Sequence, residues 1–248
     1  MTDVIYEHPL NEKIRTYLRI EHLMNQVQAH AALDNQAQQH AFFTTLFALL
    51  DIMERNDVRP DLMKDVERCE QALVNWSRHP SVSDDALQHM LQKAVRLQSE
   101  LNRSGKLCSS FKDDAFLIPI RQRYAIPGGA CFFDVPQLQY WFSQSPLVRQ
   151  QACAKWLEQL ALAAQSIEFV LTFVRERGQF EALHAENGFY QSTTDKYELL
   201  RLKYSMDLAV YPTVSGNKYR FAVRFMQLSE ADGRFAAEKP IPFALACC

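Results

Sequence analysis

The chain predicts an α+β fold in which a helical domain packs beside an antiparallel β domain, the two interleaved in sequence. Three observations carry this. Residues 218 to 225 alternate strictly between charged and apolar, the signature of a strand with one face in a core. Residues 145 to 178 keep a helical period of apolar side chains over a length that exceeds thirty residues. Segments rich in β-branched and aromatic residues interrupt the helical ones. The expected division is residues 11–110 plus 135–178 for the helical domain, and 1–10 plus 111–134 plus 187–248 for the β domain.

In chain order, Pro9 and Asn11 act as a stop and a helix cap before Glu12. At roughly 100° per residue, Ile14, Tyr17, Leu18, Ile20, Leu23, Met24 and Val27 cover most of this helix. A narrow stripe of Arg15, Arg19, His22 and Gln26 is left to water. Residues 36 to 55 form a core helix through Phe42, Phe43, Leu46, Phe47, Leu49, Leu50 and Met53. Leu62, Val66, Cys69, Leu73 and Trp76 step by four and three up to the His79-Pro80 stop. Leu87, Met90, Leu91, Ala94, Val95, Gln98 and Leu101 form the next helix, and the two are expected to pair as an antiparallel hairpin. From Phe111 to Asp134, Leu117, Ile118, Ile120, Tyr124 and Ile126 are broken by Pro119 and by Pro127-Gly128-Gly129, and read as strands around a turn. Helix returns at Pro136 and again from Ser145-Pro146 to Arg177-Gly178, through Trp156, Leu160, Ala163, Ile167, Val170, Leu171 and Val174. Beyond about Asn187 the chain is strand-like. The alternation Ile241, Phe243, Leu245, Cys247 reads as an edge strand.

The strand at 218–225 places Tyr219, Phe221, Val223 and Phe225 on one face and Lys218, Arg220 and Arg224 on the other. Residues 200–206 repeat the pattern with Arg201 and Lys203. With the Ser215-Gly216-Asn217 turn between them, an antiparallel meander can bring both basic faces onto one surface. The net charge of -2 excludes a broadly basic nucleic-acid binder. The basic faces are therefore local, balanced by acid such as Asp51, Glu54, Asp57, Asp61, Asp65, Glu67 and Glu70. No basic region followed by an apolar run opens the sequence, and no stretch reaches about 18 uninterrupted apolar residues, so the expectation is a soluble, cytoplasmic protein without membrane insertion. The six cysteines lack CxxC spacing and metal-ligand histidines, so reduced thiols, no metal and no redox role are expected. No phosphate loop, nucleophile elbow or deaminase signature occurs, which makes catalysis the weaker class.

Together these stretches resemble the ZapD family of Z-ring-associated cell-division proteins of Gram-negative bacteria. The likeness rests on Glu7-His8-Pro9-Leu10-Asn11-Glu12-Lys13 with Arg15 and Leu18-Arg19-Ile20-Glu21, and on Arg121-Gln122-Arg123 with Ile126-Pro127-Gly128-Gly129. Further matches are Asn187-Gly188-Phe189-Tyr190-Gln191, Leu199-Leu200-Arg201-Leu202, Arg220-Phe221-Ala222, Arg224-Phe225-Met226 and Leu245-Ala246-Cys247-Cys248. The resemblance implies a homodimer at the midcell division ring. It implies binding to the carboxy-terminal tail of the tubulin-like protein FtsZ and cross-linking of FtsZ protofilaments, with no cofactor and no catalysis.

A cationic groove flanked by apolar side chains suits such a peptide, and arginine gives carboxylates a bidentate contact that lysine cannot. Arg15, Arg19, Arg220 and Arg224 are the first candidates, followed by Arg201, Lys203 and Lys218. Two other classes stay open on the residues alone. Tyr204 and Tyr219 beside basic residues could stack bases, although both fall on the apolar phase. A hydrolase or transferase that brings His and Asp together only in space is the other.

Overall fold

The helix expected from Glu12 forms behind its Asn11 cap, whose Oδ1 accepts the Ile14 N–H, and the alternating run from Arg220 onward forms a strand. The computed structural model describes residues 2–77, 84–217, 219–229 and 233–248, with the side chain of Asp84 also left aside. The order is β1 (Asp3–Pro9), α1 (Glu12–His30), α2 (Gln36–Arg55), α3 (Arg59–Trp76), α4 (Asp84–Arg103), a 3₁₀ turn (Ser109–Asp113), α5 (Leu117–Tyr124), α6 (Pro136–Phe142) and α7 (Pro146–Glu176). Then follow β2 (Glu181–Ala185), β3 (Phe189–Thr193), β4 (Leu199–Ser205), a 3₁₀ turn (Met206–Leu208), β5 (Tyr211–Gly216), β6 (Arg220–Ser229), β7 (Gly233–Ala236) and β8 (Ile241–Cys247). Contacts divide the chain into a β unit, Met1–Tyr17 with Leu171–Cys248, and a helical unit, Leu18–Val170.

In the helical unit, α2 buries the whole expected stripe from Phe42 to Met53. Its N-cap Asn35 accepts the Gln38 N–H at 3.0 Å. The start of α3 meets the end of α4, where the Arg59 Nε–H donates to the Leu101 carbonyl at 2.9 Å, so the two helices pair antiparallel as expected. The His79-Pro80 stop lies outside the described residues. On α4 the buried positions are Leu87, Ala94, Leu97 and Leu101, while Val95 is 53% exposed. Leu97 therefore takes the inward place assigned to Val95. By length and composition α7 could cross a membrane, yet half of its most apolar window is buried within the protein.

Residues 111–134 are not strands. They form part of the 3₁₀ turn, α5 and a run of turns, and they belong to the helical unit. The cause is a cap. Asp114 Oδ1 accepts the N–H groups of Phe116 at 3.0 Å and Leu117 at 2.8 Å, and Pro119 falls in the first helical turn, where its missing N–H costs nothing. The Asp114 Oδ2 also accepts the Trp156 indole N–H at 3.0 Å. Trp156 stacks on Phe116 with ring centroids 6.0 Å apart, so burial of the aromatics favours the helix that the cap begins.

The β unit holds two antiparallel sheets. The first has the order β1-β4-β8-β2, and the second has β3-β6-β5 with β7 also pairing β6. β8 is thus an interior strand between β4 and β2 rather than an edge. The chain crosses between sheets at Asn187-Gly188, both with positive φ (51° and 66°), the left-handed pair that a tight hairpin turn requires. A Cβ on Gly188 would come within 2.4 Å of the Ala237 carbonyl oxygen.

Alternate residues of both sheets meet in one core. Leu200, Leu202 and Tyr204 of β4 and Phe243 and Leu245 of β8 join Phe221, Val223 and Phe225 of β6. The Phe225 ring lies 5.3 Å from Phe243 and 5.9 Å from Tyr204. Because side chains alternate across a strand, the remaining residues of β4 and β6 point away from each other. The expected meander is therefore replaced by a sandwich, and the basic faces of β4 and β6 do not share a surface. The Ser215-Gly216-Asn217 turn joins β5 to β6 instead.

The outer face of the first sheet is held by charge. Cross-strand register sets Glu7 opposite Arg201. Arg175, near the end of α7, donates from Nε to Glu7 Oε1 at 2.9 Å and from Nη2 to Oε2 at 2.8 Å, and Arg201 donates from Nε to Oε1 at 3.0 Å. The Arg201 guanidinium also lies 5.4 Å from the centre of the Phe180 ring. All three charged side chains are largely covered.

Two outcomes follow from this packing. Phe225→Ala is expected to lower unfolding free energy by about 3–5 kcal/mol in urea denaturation, because it empties the centre between the sheets. Glu7→Gln is expected to cost about 2–3 kcal/mol, since it leaves two largely covered arginines without their carboxylate. An unfolding midpoint like that of the unmodified protein for Glu7→Gln would show that the triad contributes no stability.

Candidate partner-binding face

The outer face of the second sheet carries charge of one sign. In register, Phe189, Gln191 and Thr193 of β3 lie opposite Arg224, Ala222 and Arg220 of β6, with Thr213 and Ser215 of β5 on the other flank. Arg220 and Arg224 are exposed. The sequences of β3, β5, β6 and β7 contain no Asp or Glu. Arg224 lies 5.1 Å from the centre of the Phe189 ring, so its guanidinium is oriented by an aromatic face instead of a carboxylate. At the Arg220 end, Gln191, Thr193, Ser215 and Asn217 help line an open groove of about 680 Å³. Asn217 shapes this end, because its Oδ1 accepts the N–H groups of Tyr219 at 2.9 Å and Arg220 at 3.2 Å.

Arginine cations with hydroxyl and amide neighbours and no carboxylate in the same strands have the chemistry to accept carboxylates. The first sheet is different. Arg201 is taken up by Glu7, and Lys203 Nζ lies 3.1 Å from Asp3 Oδ2. The expectation that these cations join Arg220 and Arg224 on one surface is overturned, since the apolar faces of the two sheets turn inward together. Lys218 lies outside the described residues.

Arg15 is half-buried at the start of α1. It pairs with Glu12 and reaches the Pro9 carbonyl at 3.5 Å, while the Ile14 N–H donates to the Asn11 cap at 2.8 Å. Burial, and then the Arg15 charge, lower the pKa of His8 from its ordinary value and favour its neutral form. Arg19 is exposed and belongs to the helical unit. In that unit Arg121 donates to Glu54 at 2.8 and 3.0 Å and to Asp51. Two of the acids expected to balance the basic faces thus serve a neighbouring arginine, whose pKa is raised chiefly by the Glu54 hydrogen bond.

Of the two tyrosines, Tyr204 is buried, but Tyr219 is 67% exposed because it stands in the turn before β6 begins. Phe189 and Glu7 escaped notice as site-shaping residues. In the sequence Phe189 stands out only within the family-like stretch Asn187-Gly188-Phe189-Tyr190-Gln191, and no local signal joins Glu7 to a residue 194 positions away. Among the described residues, no group of three or more His, Cys, Asp or Glu could hold a metal ion.

The family model of ZapD, described as a cell division protein, matches residues 18–224. Cell division protein ZapD of Yersinia enterocolitica is 38% identical over 245 residues, covering 99% of this chain and 97% of the relative. That of Idiomarina loihiensis is 39% identical over 248 residues, covering 99% and 96%. That of Yersinia pestis is 39% identical over 248 residues, covering 99% and 97%. With similarity running through both units, this chain belongs to the ZapD family of cell division proteins.

Proposed function

We propose that this cell division protein binds the carboxy-terminal tail of FtsZ through the outer face of its second sheet. As a homodimer it then cross-links FtsZ protofilaments at the midcell division ring, in the cytoplasm. The observation that carries the reading is the pair Arg220 and Arg224, exposed on strands that contain no carboxylate. A tail carboxylate there replaces water with a charge-assisted, bidentate contact, and the site loses no internal ion pair to make it. Arg15 and Arg19, on α1, are kept as candidate contacts in their own right and are given no place on this sheet face. Arg201 and Lys203 are assigned to holding the first sheet, since Glu7 and Asp3 already answer their charges. The function requires no cofactor, catalysis or membrane insertion.

A second reading, single-stranded nucleic acid, is favoured by the exposed Tyr219 beside Arg220. The overall charge of -2 weighs against it.

Sedimentation with FtsZ polymers separates the two. The protein is expected to pellet with full-length FtsZ and to stay in solution with tail-truncated FtsZ. An Arg220→Glu/Arg224→Glu variant is expected to lose at least about tenfold in tail affinity at an unchanged melting temperature. Unchanged pelleting by that folded variant would remove the face from consideration. A short oligonucleotide that displaces the protein from FtsZ at equimolar amounts would favour the second reading.

Valence gives a further outcome. One tail site decorates a filament, whereas joining two filaments needs two sites held apart, which a symmetric dimer supplies. A monomeric variant is expected to bind an isolated tail peptide normally and to fail to bundle filaments in light scattering. Bundling by the monomer at the level of the dimer would contradict the mechanism.

A further inference from the structure

The outer face of β6 is a single line of side chains with a chemical gradient along it. Arg220, Ala222, Arg224, Met226 and Leu228 follow one another at alternate positions. The cations stand at one end. At the other, Met226 pairs in register with Tyr211, Leu228 pairs with Arg234 of β7, and Leu228 is 75% exposed. An exposed leucine alone signifies little. This one lies in line with two arginines that have no carboxylate in the sheet, and it is spaced from Arg224 as Arg224 is spaced from Arg220.

We propose that β6 reads its ligand lengthwise, as one extended acidic peptide segment. One carboxylate sits at Arg220, a second at Arg224 and an apolar side chain at Leu228, with Arg234 as a third cation beside the apolar end. This rests on the assignment of the face to peptide binding and deepens it. The spacing sets the ligand's pattern. Arg220, Arg224 and Leu228 are four residues apart in turn, about 13 Å per step at the rise of an antiparallel strand. An extended peptide has nearly the same rise, so its residues i, i+4 and i+8 face the sheet together at the same intervals. The flanking strands favour this direction over a crossing one. Gln191, Thr193, Thr213 and Ser215 on the same face are uncharged, so among the described residues of β3, β5 and β6 the full charges near Arg220 and Arg224 lie along β6.

The test uses the full chain and two synthetic peptides in a Gly/Ser/Thr background, one with Asp at positions 1 and 5 and Leu at 9, the other with Ser at 9. Fluorescence polarisation is read on the unmodified protein, Leu228→Ser and Arg220→Glu. The unmodified protein is expected to prefer the leucine peptide by about tenfold, the effect of burying one leucine side chain. Leu228→Ser is expected to erase that preference while still binding the serine peptide. Arg220→Glu is expected to lose both peptides. Equal binding of the two peptides by the unmodified protein, with both lost in Arg220→Glu, would overturn the lengthwise reading and leave the carboxylate site standing. Undiminished binding by Arg220→Glu, or no binding of either peptide by the unmodified protein, would overturn it as well. Pelleting of Arg220→Glu with full-length FtsZ then shows whether the broader assignment of the face falls too.

Discussion

The interaction on which the candidate site depends is the apolar contact between the two sheets of the β unit. Phe225 meets Tyr204 and Phe243 across that contact, and the alternation of a strand then leaves no choice about where the charged neighbours go. Burying the even phase of β4 and the odd phase of β6 sends Arg201 and Lys203 outward on one side and Arg220 and Arg224 outward on the other. A single hydrophobic constraint thus creates two cationic faces and separates them.

The two faces then meet different fates. On the first sheet, β1 brings Asp3 and Glu7 alongside, and the end of α7 adds Arg175, so charge is consumed in holding strands and helix end together. A partner would have to break those pairs to use the same cations, at a cost set by leaving the largely covered Glu7 unmatched. On the second sheet the strands supply hydroxyls, amides and aromatic rings. Those groups orient arginine without neutralising it. What sets Arg201 apart from Arg220 and Arg224 lies in the neighbouring strand, not in the arginine.

How much of this was legible in the sequence follows the range of the interactions. Helices with a strong period announced themselves, as in the buried stripe from Phe42 to Met53 and the 31 residues of α7. The alternating face of β6 was equally plain, because Phe221, Val223 and Phe225 are neighbours along the chain. Residues 111–134 misled, since a β-rich composition outweighed one capping carboxylate at Asp114 and a proline placed harmlessly in a first turn. Leu97 was missed for a similar reason, because a heptad stripe and the true inward face of α4 differ by a small rotation. The order of strands was out of reach. Nothing local shows that β4 sits between β1 and β8 while β6 sits in the other sheet, or that Glu7 faces Arg201. Candidate residues were therefore readable one by one, but their grouping was not.

Family membership fixes a role in cell division, and the proposed partner site is the outer face of the second sheet. Hydrogen–deuterium exchange on the intact protein, with and without the FtsZ tail peptide, tests that location without altering any residue. The account predicts slowed exchange along β6 from Arg220 to Leu228 and in the β3 and β5 strands beside it, with β1 and β4 unchanged. Protection confined to β1 and β4, or to the helical unit, with the second sheet exchanging as in the free protein, would contradict it.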